Sequence, residues 1–296
     1  MDISVIIVNW NTKKLTGDCL SSINKYTKWI RYEVILVDNA STDGSQKYLQ
    51  KKFPQVRFIL NKENLGFGKA NNQGVKIAKG RYVLFLNSDT YLLENSLKIL
   101  IKKADRTENL GALGPLLLNE DKSIQQSVGF FPHLPQIFYW MSFIDDLPGG
   151  TLLKPYHVDH DSFYKKEHEV DWLTGAALLI PRKIFDQVGG FDEKIFLYGE
   201  DIDLCRRIKD QNYRIIYSPV SKIVHIRGGS SNRISTRAFI GEYQGLKYLY
   251  KKFKGPISLQ ILSLFLKIVA LARVVIFGAL GKKELSKAYV EVLKVA

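Results

Sequence analysis

Amide and carboxylate side chains stand where aliphatic runs of this 296-residue chain end. Asn9 closes the first run, Asp38 closes the second, and Asp89 follows the fourth after a short polar step. Oxygens at such positions accept hydrogen bonds from a nucleobase or ribose, and a carboxylate also binds hard divalent cations. Asp38 can equally open a turn with Ala40 and Ser41, a role compatible with ligand binding. The three residues therefore predict a polar ligand site shared by several strand ends.

The tripeptide Asn87-Ser88-Asp89 fits two roles. All three residue types are common in solvated turns after strands, so the tripeptide alone does not identify a metal site. Asp89 supplies the hard, charged oxygen that a cation bridging two phosphates requires, whereas Asn87 contributes no charge.

Glu200-Asp201 begins a predicted helix whose apolar face carries Leu204, Cys205 and Ile208. Carboxylates in a first helical turn complement the helix dipole, which lowers their pKa and weakens them as bases. Apolar surroundings and repulsion between neighbouring acids raise the pKa instead. The residues alone leave this balance open.

His225 ends an apolar run just before the segment Arg227-Gly228-Gly229-Ser230-Ser231. Taken alone, a histidine at a strand end is more often a hydrogen-bonded structural residue than a ligand. Its role therefore depends on what the fold places beside it.

The elements that must position these residues alternate between strand and helix. Aliphatic runs indicate buried strands, and apolar residues at helical spacing follow them. The predicted strands cover residues 3–8, 33–37, 56–60 and 81–86, and the predicted helices cover 15–23, 44–51 and 68–78. This alternation predicts an α/β fold, Rossmann-like, with a mostly parallel central sheet, helices on both faces, and ligands beyond the carboxyl ends of the strands.

The second half of the chain is less regular. Residues 118–169 contain four prolines and many aromatic residues and show no clear period. Beyond them the pattern predicts an ordered apolar stretch at 170–180, helices from 182 and over 200–209, short strands at 214–217 and 222–225, and an amphipathic helix at 235–253.

Residues 257–280 are apolar and long enough to span a bilayer. Lys267 and Arg273 lie near the middle, and each would cost about 2.5–3.5 kcal/mol at the centre of a membrane. Gln260, Ser263 and Lys267 share one helical face, which favours a helix lying in the membrane interface, followed by a short basic helix. A re-entrant hairpin, and a helix packed on the protein's own core or in a dimer, remain open.

The formal net charge of +14 indicates anionic partners. The charge is spread along the chain without a zinc-finger, RRM or basic-zipper pattern, so we expect no nucleic-acid partner and favour phosphorylated ligands and an anionic membrane surface. Cys19 and Cys205 are expected to be reduced core residues. The apolar run at the N-terminus is too short for a signal peptide, which predicts a cytoplasmic catalytic part, peripheral to the inner face of the cell membrane.

Taken together, the motifs resemble family 2 glycosyltransferases, close to the rhamnosyltransferase-like branch of bacterial surface-polysaccharide enzymes. The matching segments follow the family's order through nearly all of residues 3–231. They are VIIVNWN at 5–11, VDNASTDGS at 37–45, NKENLGFGKANNQG at 61–74, LNSDT at 86–90, WLTGAALLIPR at 172–182, GGFDEKIFLYGEDIDLCRR at 189–207 and HIRGGSS at 225–231. The resemblance implies a GT-A fold and transfer of a sugar from a nucleotide diphosphate to an acceptor hydroxyl.

The resemblance also implies roles for individual residues on the donor side. Nucleotide-sugar binding would fall to Val8, Asn9, Asn11, Asp38, Lys69, Asn87, Ser88 and Asp89. Lys69 is equally well explained as a solvated surface lysine. Asp89 and His225 would hold a divalent cation, Mn²⁺ or Mg²⁺, with the imidazole favouring Mn²⁺. Asn87 replaces the first acid of the family's Asp-x-Asp motif, which leaves the affinity for the metal open.

Catalysis would rest on Asp201 as general base, with Glu200 beside it. Arg227 and Ser230 would meet the diphosphate. The resemblance places Trp172, Thr174 and Gly175 at the floor of the sugar and acceptor site, where core packing of the indole is an equal alternative. One base, one metal and no second carboxylate nucleophile predict an inverting displacement.

The predicted organisation has a catalytic domain over residues 1–254 and a membrane-associating helical segment over 255–296. The nucleotide-binding half would cover about 1–117 and the acceptor half 118–254. The expected partners are a dTDP- or UDP-linked sugar, with rhamnose first among the candidates, and a polyprenyl-linked or glycan acceptor. A catalytically silent nucleotide-sugar-binding subunit of a glycan-assembly complex is the alternative, and the oligomeric state is open.

Overall fold

The computed structural model describes residues 1–141, 155–226 and 236–296. Its N-terminal part alternates strands and helices as predicted. The elements are β1 (Ile3–Asn9), α1 (Lys13–Tyr26), β2 (Tyr32–Asp38), α2 (Ser45–Lys52), β3 (Arg57–Leu60), α3 (Phe67–Ile77) and β4 (Tyr82–Asn87). β1, β2 and β4 are buried along most of their length, as expected for parallel strands covered on both faces.

The next three elements occupy residues for which the sequence pattern predicts none. They are β5 (Thr90–Leu92), α4 (Ser96–Asp105) and β6 (Leu110–Leu118). β5 is too short to show a period, and β6 contains two glycines and a proline, residues that normally interrupt a strand.

The second half adds short strands and the remaining helices. These are β7 (Val128–Gly129), α5 (Leu134–Met141), a 3-10 turn (Phe163–Lys165), β8 (His168–Glu169), β9 (Trp172–Leu173), β10 (Ala177–Pro181), α6 (Arg182–Gln187), α7 (Glu200–Lys209), β11 (Arg214–His225), α8 (Thr236–Phe253), α9 (Pro256–Ala279) and α10 (Lys283–Leu293). Residues 118–169 are thus only partly regular, as the prolines indicated.

Among the described residues, one large sheet organises the molecule. Its strand order is β3-β2-β1-β4-β10-β6-β11-β5, and β8 pairs with β11. The β1–β2, β2–β3, β1–β4 and β6–β11 pairs are parallel, whereas β10 runs antiparallel to β4 and β6, and β5 runs antiparallel to β11. This arrangement confirms the predicted α/β fold with a mostly parallel central sheet.

β11 is one strand, where the sequence predicts two. Its pairing with β6 shifts between Tyr217 and Lys222, so the strand bulges there. The bulge lies opposite Pro115 of β6, which has no backbone N–H to donate. A proline within a central strand is tolerated at such a bulge, and the two predicted strands are the halves of β11 on either side of it.

α8, α9 and α10 pack against one another, and α8 also docks on α7. The docking contact is an ion cluster around the buried Asp203, in which Lys252 Nζ of α8 lies 2.6 Å from Asp203 Oδ1 and 2.7 Å from Asp192 Oδ2. Arg207 pairs with the other oxygen of Asp203 at 2.6 Å. α8 thus contacts α7, which precedes it in the chain, as well as α9 and α10, which follow the predicted domain boundary at residue 254. This boundary stays a prediction.

α9 combines one packed face with one exposed face. Leu262, Leu266 and Ala270 are fully buried against the rest of the protein. Arg273 also points inward, where it donates hydrogen bonds to the Tyr289 hydroxyl at 2.8 Å and the Met141 carbonyl at 3.1 Å. Packing on the protein's own core, one of the alternatives left open by the sequence, therefore describes half of this helix.

Candidate active site

The carboxyl ends of β1, β2 and β4 meet at one edge of the sheet. Asn9 pairs in register with Asp38, and Val8 pairs with Asn87. The parallel register therefore brings the predicted donor-side residues together, as the strand-helix alternation indicated.

Asn9 and Asp38 form a closed hydrogen-bond network beneath this edge. Both are fully buried, and Asn9 Nδ2 donates to Asp38 Oδ2 at 2.5 Å. Asp38 Oδ1 accepts from the Ser41 N–H at 2.9 Å and from Gln46 Nε2 at 2.7 Å. Thr12 and Thr16 supply further donors to Asn9 Oδ1. The network forms the turn anticipated at Asp38 and holds the loop that borders the site.

The more exposed donor-side residues lie around this network. Asn11 is exposed, and its Oδ1 accepts from the Thr42 N–H at 2.7 Å, which ties β1 to the loop after β2. Val8 is half-buried. Lys69 is exposed in the first turn of α3, within the helix predicted there. Ser88 is buried with its hydroxyl 3.0 Å from Thr12 Oγ1.

Asp89 and His225 face each other because β5 folds back onto β11. The antiparallel register places His225 opposite Thr90, and the Ile226 N–H donates to the Asp89 carbonyl at 2.8 Å. His225 Nε2 lies 3.3 Å from Asp89 Oδ1, with both side chains largely buried. Asn87 Nδ2 is also 3.3 Å from this nitrogen.

The Asp89–His225 pair suits a divalent cation. A carboxylate oxygen and an imidazole nitrogen are donors that Mn²⁺ accepts. Adjacent ligands about 2.1 Å from an octahedral ion lie about 3 Å apart, close to the spacing observed here. No group of three or more His, Cys, Asp or Glu side chains suited to a metal occurs among the described residues.

Glu200 and Asp201 begin α7, as predicted. Burial, with repulsion from Asp201, raises the pKa of Glu200 to about 8. Burial also raises the pKa of Asp201, although N–H groups of Gly175 and Ile202 donate to its carboxylate at 3.1 and 2.8 Å. Desolvation thus outweighs the backbone hydrogen bonds that stabilise the charged carboxylates.

Two backbone hydrogen bonds connect the carboxylate of Asp201 with β4, whose last residue, Asn87, lies beside the Asp89–His225 pair. The Gly175 N–H donates to Asp201 Oδ2, and the carbonyl of the next residue, Ala176, accepts from the Asn87 N–H at 3.0 Å. Gly175 is needed here, because an added Cβ would lie 3.1 Å from the Phe67 ring. The sheet edge therefore holds both groups within one rigid frame.

Trp172 belongs to the core. Its indole is 5% exposed, and its N–H reaches the Phe130 and Tyr156 carbonyls at 3.2 Å each. These contacts support the alternative that the Trp172 indole packs in the core, which leaves little of the ring accessible to a ligand. Thr174 is half-buried, and its N–H donates to the Ser127 carbonyl at 2.9 Å.

Two predicted diphosphate contacts, Arg227 and Ser230, lie outside the described residues. The sequence analysis also missed site residues that the fold brings in. Thr12, Thr16, Ser41 and Gln46 brace the Asn9–Asp38 network, and Gln125 contacts His225. The i, i+4 spacing of Thr12 and Thr16 just after β1 was an available signal, whereas Gln125 lies in the irregular segment.

Comparison with known proteins agrees with this geometry. Residues 4–167, more than half of the chain, match the family described as "Glycosyl transferase family 2", and residues 156–228 match "N-terminal domain of galactosyltransferase". The N-acetylglucosaminyl-diphospho-decaprenol L-rhamnosyltransferase of Mycobacterium tuberculosis (strain CDC 1551 / Oshkosh) is 31% identical over 211 residues, which cover 68% of this chain and 68% of the relative. Rhamnosyltransferase WbbL of Escherichia coli (strain K12) is 30% identical over 257 residues, covering 84% and 92%.

A solved structure shares the fold. The crystal structure of GalNAc-T7 with UDP, GalNAc and Mn²⁺ superimposes with a TM-score of 0.60 at 16% identity. The match covers 84% of this chain and 47% of that one, and at this identity it speaks to the fold alone. The chain therefore belongs to glycosyl transferase family 2 and is a glycosyltransferase with a GT-A fold.

Proposed function

We propose that the protein transfers rhamnose, with inversion, from a dTDP- or UDP-linked donor to a hydroxyl of a polyprenyl-linked saccharide. The observation that carries this proposal is the half-buried Asp201 carboxylate, held by Gly175 beside the strand that ends at Asn87. The names of the two rhamnosyltransferase relatives support the sugar, and the decaprenol in one name supports a lipid-linked acceptor. Galactose, glucose and N-acetylhexosamine donors remain candidates for the same pocket.

Asp201 acts as the base in this proposal. Its carboxylate takes the proton of the acceptor hydroxyl while that oxygen forms a bond to the anomeric carbon and the bond to the diphosphate breaks. The two N–H groups from Gly175 and Ile202 orient the carboxylate. Its raised pKa makes it a stronger base than an exposed aspartate.

Asp89 and His225 would hold the divalent cation, Mn²⁺ or Mg²⁺. Such a cation would supply positive charge that stabilises the departing diphosphate. Asn87 lies beside the same histidine nitrogen and adds a neutral group where the family's motif has an acid.

The environment of Glu200 favours inversion over a double displacement. With its pKa raised to about 8, the buried carboxyl is mostly protonated at neutral pH and is a poor nucleophile. A single displacement with Asp201 as base needs no nucleophile from the protein. The anomeric configuration of the product, measured by NMR coupling constants, tests this step.

The exposed face of α9 supports docking on an anionic membrane. Of the helices described, α9 is the one long and apolar enough to cross a bilayer, which by itself is weak evidence. Its exposed side carries an apolar stripe of Ile257, Ile261, Leu264, Ile268, Leu271 and Val275. Lys282, Lys283 and Lys287 are exposed just beyond the helix. An apolar stripe next to lysines suits a helix lying at the headgroup level of an anionic leaflet.

The activity is tested with purified protein, Mn²⁺ and a panel of nucleotide sugars, following nucleoside diphosphate release. We expect release from one donor, with Asp201→Asn lowering the rate at least about 100-fold because the base is lost. Asp89→Ala should abolish release, because it removes a ligand of the proposed cation. Asp210→Asn is the matched control, because Asp210 is exposed at the other end of α7.

The outcomes distinguish an active transferase with Asp201 as its base from the alternatives. Unchanged turnover in Asp201→Asn removes the assignment of the base. Binding of a nucleotide sugar without release, across the whole panel and with lipid-linked acceptor present, favours the silent partner subunit instead.

A further inference from the structure

Gln125 makes a contact with His225 that the catalytic scheme does not yet use. The side chain is buried, and its Oε1 lies 2.6 Å from His225 Nδ1. Its Nε2 donates to the His225 carbonyl at 3.0 Å and to Asn119 Oδ1 at 2.7 Å. The side-chain amide of Gln125 therefore forms hydrogen bonds with both the imidazole ring and the backbone carbonyl of His225.

These partners fix the orientation of the amide. Nε2 faces two oxygens that only accept hydrogen bonds, so it must be the donor end. Oε1 then faces His225 Nδ1, and because an amide oxygen cannot donate, Nδ1 must carry the proton. In neutral imidazole the lone pair is then on Nε2, the nitrogen that faces Asp89.

We propose that Gln125 is a positioning residue, which holds His225 in the Nδ1–H tautomer and directs Nε2 towards the cation site shared with Asp89. The inference rests on the proposed metal site. It assigns a function to the irregular segment after β6, where a bridge between Leu118 and Ile124 brings Gln125 back beside the end of β11. A hydrogen bond to the second ring nitrogen is a common support for metal-binding histidines, and its loss typically costs about 10- to 100-fold in metal affinity.

Two measurements test the proposal without turnover. Binding of Mn²⁺ alone is measured from the EPR signal of the free ion. The tautomer of His225 is read from long-range ¹H–¹⁵N correlations of metal-free, histidine-labelled protein, which is practicable because the chain has five histidines. His225→Gln identifies the signal.

Gln125→Met keeps the length of the side chain and removes the acceptor. We expect it to raise the Kd for Mn²⁺ about 10- to 100-fold and to populate the Nε2–H tautomer. Gln125→Glu keeps an acceptor opposite Nδ1, so it should retain the tautomer and bind Mn²⁺ more tightly than Gln125→Met. Gln126→Met is the matched control, since the neighbouring glutamine is exposed. Circular dichroism confirms that each variant folds.

The results separate this inference from the proposed function. A wild-type protein that binds no Mn²⁺ overturns the metal site and with it the inference. Wild-type binding with an unchanged Kd in Gln125→Met, whatever its tautomer, overturns the inference alone. If Gln125→Met does not fold, an Nε2–H tautomer in Gln125→Glu or in the wild type contradicts it.

Discussion

At the scale of single residues, burial decides what each acidic side chain can do. Asp38 is buried beneath the sheet edge and accepts hydrogen bonds from three donors, so it organises the loop after β2. Glu200 is also buried, but one of its oxygens, Oε2, has no hydrogen-bond partner among the described residues. Asp38 and Glu200 hold similar positions in the sequence, at the end of a strand and the start of a helix. Their carboxylates nevertheless have opposite electrostatic surroundings.

Glu200 should make the stability of the protein fall as pH rises. Its pKa is about 8 in the folded protein against 4.5 ordinarily, so the folded state binds more protons between these values. Stability is therefore greatest below about pH 4.5 for this group and is lost as pH rises through 8. We expect the Tm of wild type to drop relative to Glu200→Gln between pH 5.5 and 9, measured by thermal melts.

Glu63→Gln is the control, because it removes an exposed carboxylate. Parallel curves for wild type and Glu200→Gln would show that the buried carboxyl does not titrate in this range.

The sequence identifies site residues through their places in family motifs. Asp89, Asp201 and His225 were predicted because each stands in a segment that resembles family 2 glycosyltransferases, whereas their local patterns alone left other roles open. Gln125 was not, since its contact with His225 joins residues 100 positions apart. The burial of Trp172 was left undecided for the same reason, because its cover comes from Phe130 and Tyr156 in the irregular segment.

At the scale of elements, α8 supports the loop that leads to the base. Gly245 of α8 is so close to this loop that an added Cβ would lie 2.5 Å from the Tyr198 carbonyl oxygen. Gly241, one turn earlier, allows the same approach by the Tyr198 ring. The two glycines let the backbone that precedes Asp201 lie directly on the helix.

Gly245→Ala should therefore displace the 196–199 loop and lower kcat about 10- to 100-fold, because a shift of about 1 Å in a catalytic group costs that much. Nucleoside diphosphate release measures the change. Gly278→Ala in α9 is the matched control, since its Cβ would meet nothing closer than 3.7 Å. Equal kcat values for the two variants would contradict a supporting role for α8.

Strand and helix periods predicted the first four strands well, because these are parallel, buried and locally regular. They failed for β6, whose two glycines and proline interrupt the strand pattern. The bulge in β11 was visible as a gap between two predicted strands, but its position opposite Pro115 depends on pairing between segments distant in sequence.

At the scale of the whole molecule, the exposed stripe of α9 should control membrane binding. Ile268 lies near its centre and is 57% exposed, so Ile268→Glu should leave the fold intact and sharply reduce binding. Flotation with vesicles of phosphatidylcholine and phosphatidylglycerol measures the bound fraction. Vesicles of phosphatidylcholine alone should bind less wild-type protein.

Gln260→Glu provides the control, since it adds the same charge at the edge of the stripe. Wild-type binding by Ile268→Glu would exclude the stripe as the membrane surface. A change from dimer to monomer in light scattering would show that a second copy of the chain covers it.

Arg273 has a consequence for how α9 meets its surroundings. A helix that is apolar on all sides has no preferred rotation about its long axis, but this one is pinned by the guanidinium bonds to Tyr289 and Met141. With leucine at this position, only the apolar packing of Leu262, Leu266 and Ala270 would set the rotation of the helix. The half-buried guanidinium thus adds a polar anchor that fixes which face of α9 points away from the protein.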